Sequence, residues 1–105
     1  DNNSWKDIAI PCYLLLGDQD FLTWRREPFD RYSAAGDKLL TIGKDQSHSN
    51  IAGHGGAPVE VKRLLCLNTG LFFHTYLRGG DGRHRIGTLE QMDGWTLERK
   101  LDPTL

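Results

Sequence analysis

An acid and a histidine hold comparable places in this chain of 105 residues, each just past an apolar run that reads as a strand. The acid is Asp20, reached from Ile10-Pro11-Cys12-Tyr13-Leu14-Leu15-Leu16 through Gly17-Asp18-Gln19. The histidine is His48, reached from Lys38-Leu39-Leu40-Thr41-Ile42-Gly43 through Lys44-Asp45-Gln46-Ser47. Delivered by the carboxyl ends of neighbouring parallel strands, such a pair forms two-thirds of a nucleophile–histidine–acid triad. The imidazole takes a hydroxyl proton, while the carboxylate fixes the imidazole tautomer and stabilises its charged form. The remaining third has no candidate here. The serines are Ser4, Ser33, Ser47 and Ser49, and the last two flank His48 too closely to attack.

Two apolar runs and a long helix must position that pair. Ile8 to Leu16 has no polar alternation, the pattern of a strand covered on both faces. Glu27 to Gly36 reads as a short helix, with Pro28 suited to its first position and Gly36 to a left-handed C-terminal cap. Lys38 to Ile42 is a second strand, and Gly43 to Gly56 a polar loop holding His48 and His54. A helix starts at Pro58, with Glu60 in its first turn and Val61, Leu64, Leu65, Asn68, Leu71, Phe72 and Tyr76 on one broad face. Gly79-Gly80 stops it. Further on, Ile86–Leu89 and Trp95–Leu97 read as short edge elements or an irregular tail.

The expected class is α/β: strand, helix, strand, helix, with a right-handed crossover between parallel strands. Residues 1–80 carry the acid and histidine loops, and 81–105 form a tail packing on the same domain. Two parallel strands leave both sheet edges unpaired and do not hold up alone. The chain is therefore expected to be incomplete on its own, a piece of a domain. Its start at Asp1-Asn2-Asn3, without methionine, fits a processed chain or a fragment.

Composition narrows the classes. Hydrophobic content of 38%, charged content of 26% and a net charge of −1 are ordinary for a globular protein. They supply no electrostatic footprint for nucleic acid or an anionic membrane, and no apolar run is long enough to span a bilayer. Cys12 and Cys66 make neither a disulfide framework nor a zinc site and read as small buried hydrophobes. A bridge between them requires the helix to cover the strand. The His48-x5-His54 spacing has no third ligand to complete a metal site. His74 reads as a partly buried structural residue, and Arg78 to Arg85 as a solvated loop rather than an RNA-binding tract. Trp24 either lines a pocket beside Asp20 or packs its loop onto the body. Trp5 and Trp95 read as packing residues.

In order, these motifs resemble the C-terminal part of the α/β-hydrolase family, nearest to the dienelactone-hydrolase-like and cutinase- or polyesterase-like serine esterases. The family's Gly-x-x-Asp after an apolar strand is matched by Gly17-Asp18-Gln19-Asp20. Its histidine loop is matched by Asp45-Gln46-Ser47-His48-Ser49-Asn50. Its closing helix is matched by Phe72-Phe73-His74-Thr75-Tyr76-Leu77-Arg78-Gly79. The likeness covers roughly residues 8 to 80. It implies that Asp20, rather than the competing Asp18, is the triad acid and that His48 is the general base.

The chain departs from that family in lacking a Gly-x-Ser-x-Gly nucleophile elbow. His54-Gly55-Gly56 is similar to an oxyanion-loop motif but follows the histidine loop instead of preceding a nucleophile. The resemblance thus implies a carboxylic-ester substrate and a nucleophile on an upstream segment or separate chain, with no metal or organic cofactor required. A cysteine nucleophile of the dienelactone type would also have to lie there, since neither Cys12 nor Cys66 is placed for it. The alternative is a non-catalytic α/β module that binds a partner by strand addition at its open edge.

Overall fold

The computed structural model describes residues 2–52, 56–78 and 92–104. A 3₁₀ turn over Asn2–Asp7 precedes strand β1, Cys12–Gly17. Two short helices follow, α1 (Leu22–Arg25) and α2 (Glu27–Arg31), and then strand β2, Lys38–Gly43. Helix α3 spans His48–Ile51, helix α4 Val59–Leu77 and strand β3 Thr96–Lys100. The strands form one mixed sheet in the order β1-β2-β3.

β1 and β2 run parallel, with Leu14 opposite Leu40 and Leu16 opposite Ile42. Side chains alternate across the sheet, so the unbroken apolar runs supply two cores. On one face Leu16, Phe29 and Leu40 pack with Leu14, Leu22 and Ile42. On the other, Leu39 packs with Tyr13, Leu71, Phe72 and Tyr76. Beside it, Val61, Leu64, Leu65 and Trp95 form a third cluster with Leu15 and Ile51. The face of α4 read from its spacing is the face that meets the sheet. Trp95 is a packing residue. Burial also pushes the Tyr13 phenol above its ordinary pKa, although its hydroxyl is bonded to Thr41 Oγ1 at 2.6 Å.

Four sequence expectations require correction. The sheet is mixed rather than wholly parallel, because residues 96–100 join it as an antiparallel edge strand on β2, in keeping with the edge-element reading of Trp95–Leu97. Gly94, at φ +83°, turns the chain into β3. Leu97 then faces the α4 side, while Glu98 reaches Arg26, whose Nη2 is 2.6 Å away. One edge of β2 is thereby closed. β1 pairs only with β2 among the described residues, and its apolar Cys12, Tyr13, Leu14 and Leu15 are only half-buried.

The second correction concerns the short helix, which ends at Arg31 because Tyr32 is already extended. Lys100 Nζ donates to the carbonyls of Phe29, Asp30 and Tyr32, satisfying the end of that helix. Gly36 is left-handed, at φ +70°, but serves the turn before β2, where a Cβ would meet Ala9 O at 2.3 Å. Third, the run expected to be one loop after β2 contains α3. Finally, Cys66 is exposed on α4 and Cys12 is half-buried; both are free. The Gly79-Gly80 stop, the Ile86–Leu89 element and most of the Arg78–Arg85 tract lie outside the described residues.

Candidate active site

The turn after β1 and the loop after β2 are stitched together by their backbones. The Asp18 amide donates to Gly43 O at 2.9 Å and the Gln19 amide to Gln46 O at 3.1 Å. The Asp18 carboxylate accepts from the Asp45 amide at 2.9 Å. This approach requires glycine at position 17: a Cβ there would stand 2.1 Å from Gln46 O. Ser47 then caps α3 by accepting from the Asn50 amide at 3.2 Å, which sets His48 at the first helical position.

The stitched loops bring the two candidate residues together. His48 Nδ1 lies 2.8 Å from Asp20 Oδ2. A carboxylate only accepts, so this contact places a proton on Nδ1 and leaves the Nε2 lone pair uncommitted among the described residues. The burial is one-sided: the Asp20 side chain is 8% exposed and that of His48 70%. Asp18, the competing acid, is occupied as a brace between loops. Phe21, next after Asp20, is left-handed at φ 49°, a strained conformation for a bulky residue, and it turns the chain into α1.

Asp20 and His48 open on a cleft of about 610 Å³. Trp5, Leu14, Leu16, Trp24 and Pro28 supply much of its apolar wall. Trp24 is 66% exposed, so it does not pack its loop onto the body; it stands beside the candidate pair. Trp5 lines the same cleft and meets Tyr32 edge-on, with ring centroids 6.2 Å apart. Two further charges border it. Glu27 is held by Arg31 at 2.9 Å, and Arg25 Nε lies 3.6 Å from Asp20 Oδ1.

The chain matches no protein-family model, no curated protein and no solved structure.

No described serine hydroxyl is hydrogen-bonded to His48. Ser33 and Ser47 accept local backbone amides, from Ala35 and Asn50 respectively. Among the described residues, no three His, Cys, Asp or Glu side chains gather where they could hold a metal. No helix among them is long and apolar enough to cross a membrane. His54 and Gly55 lie outside the described residues, and His74 is exposed rather than partly buried. The sequence reading missed Arg25, which becomes relevant only when α1 folds back over Asp20. It also missed Ser47 as a cap, although serine three residues before Asn50, with apolar Ile51 next, is a recognisable helix start.

Proposed function

We propose that this chain contributes the acid and the histidine of a serine hydrolase that cleaves carboxylic esters. Asp20 is the triad acid and His48 the general base. The serine and its oxyanion donors stand on an upstream segment or separate chain of the same α/β-hydrolase-like domain. The observation that carries this reading is the 2.8 Å contact between Asp20 Oδ2 and His48 Nδ1, with the rest of the imidazole turned to an open cleft.

In that role His48 Nε2 takes the serine proton as the serine oxygen attacks the ester carbonyl. It returns the proton to the departing alcohol, then repeats both transfers with water to free the acid. Asp20 stays ionised, holding the imidazolium that forms at each step. Trp24 and the leucines of β1 offer the organic part of the ester an apolar wall. The half-exposed apolar residues of β1 support the incompleteness reading, because a strand with apolar side chains on both faces is stable only between neighbours.

The free edge of β1 also favours a second reading, a module that binds a partner strand without catalysis. One experiment separates the two. The native sample is treated with a fluorophosphonate probe and resolved by intact mass and denaturing electrophoresis. A labelled companion chain, whose labelling disappears when His48→Ala replaces the unsubstituted protein with folding intact, supports the hydrolase. Labelling that survives His48→Ala, or a tightly bound companion that never labels, leaves the binding module.

A further inference from the structure

We propose that Arg25 is a positioning residue for the acid, an inference that rests on the triad reading of Asp20 and His48. The Asp20 carboxylate is almost completely buried, yet among the described residues its one hydrogen bond comes from His48 Nδ1, on Oδ2. A buried carboxylate held at one oxygen is costly in solvation, and it is free to rotate about a broad torsion that withdraws that oxygen from the imidazole. Arg25 meets both problems. Its Nε stands 3.6 Å from Oδ1, so the guanidinium charge favours the ionised carboxylate and holds Oδ1 away from the histidine.

Arg25 is itself held in place. Its guanidinium carbon lies 5.0 Å from the centroid of the Trp24 ring. Its backbone amide donates to Phe21 O at 2.9 Å, within the turn that the left-handed Phe21 begins. The residue that follows the acid therefore folds a cation back over the acid's second oxygen. At 3.6 Å the pair is an ion pair rather than a hydrogen bond, so charge carries the effect more than shape. Lysine should serve in its place, and glutamine should not.

Nitrogen-15 NMR of the histidine rings tests this in the chain as it stands, with the His48 signals assigned by their loss in His48→Ala. Neutral His48 should carry its proton on Nδ1 in the unsubstituted protein. Arg25→Ala should lower the ratio of Nδ1–H to Nε2–H tautomer about threefold, the scale of a partly exposed ion pair. Arg25→Lys should recover most of that ratio and Arg25→Gln should not. The Arg25 side chain is 43% exposed, so circular dichroism should stay unchanged and the thermal midpoint should fall by no more than about 5 °C in all three variants. An unchanged ratio in Arg25→Ala, or a fall that Arg25→Lys does not recover, overturns the role. No ester, nucleophile or partner enters this measurement. Its failure is therefore distinct from failure of the hydrolase reading, which the fluorophosphonate label judges.

Discussion

At the amino ends of β1 and β2 the charged groups are buried and shared among several partners, whereas at the carboxyl ends one of the pair is left open. Asp37 is fully buried at the start of β2, accepting from the Tyr76 hydroxyl and from the Asp102 amide at 2.7 Å. Lys38, also fully buried, donates to the carbonyls of Ala35 and Gly36. Asp102 in turn accepts from the Gly36 amide at 2.6 Å. Each of these partners belongs to the frame, and the cluster clamps residues 101–104 onto the beginning of β2. The number of bonds per charge is what distinguishes the two ends. Among the described residues Asp20 has one hydrogen bond and one loose ion pair, and His48 shows most of its side chain to solvent. Saturated charges hold a fold together, and undersaturated ones beside a cleft are available for proton transfer.

The comparison can be broken at either end. The largest expected effect is on the ester turnover that the proposed hydrolase reading requires. Asp20→Asn should cut ester hydrolysis by on the order of ten-thousandfold, as loss of a triad acid does. A stability change large enough to unfold the protein would place Asp20 with the clamp instead. At the other end, Asp37→Ala strands buried donors and should lower stability by about 3 kcal/mol. Chemical denaturation checks it, and a cost within a few tenths of that of a surface substitution would mean that the clamp is ornamental.

Gly17→Ala acts between the two. Its Cβ would collide with Gln46 O, so the loops must part, with a stability loss of about 2 kcal/mol. The Nδ1–H signal that reports the Asp20–His48 contact should weaken with it; an intact signal would show that the loops tolerate the side chain. The smallest effect is at the cleft wall. Trp24→Ala should change stability by less than about 0.5 kcal/mol, because most of the side chain is already exposed. It should raise KM for the ester severalfold while leaving kcat nearly unchanged. A fall in kcat alone would assign Trp24 to holding Arg25 behind the acid rather than to binding.

Much of the frame was legible before folding. The runs through Leu16 and Ile42 read as strands, and the first, without polar alternation, as one covered on both faces, although Cys12 to Leu15 are only half-buried in the fold. The spacing of Val61, Leu64, Leu65, Leu71 and Phe72 likewise dictated which side of α4 would meet them. Asp20 and His48 stood out because each follows such a strand by a few residues. β3 was less legible: Thr96 to Lys100 has Leu97 as its one apolar side chain bordered by polar neighbours, and its place in the sheet depends on Arg26, Asp37 and β2 far away in the chain. Cys66 was misread for a related reason, since α4 carries apolar residues on its outer side too, Phe73 and Leu77 among them.

Local sequence determined the strands, the helical face and the two residues whose types suit proton transfer, since periodicity and turn chemistry act over a few residues. Only the tertiary structure decided that Asp18 braces a loop while Asp20 meets the imidazole, and that Arg25 stands behind the acid. Those distinctions depend on which way a side chain points across a gap of 28 residues, and the close approach at Gly17 and Gln46 is what closes that gap.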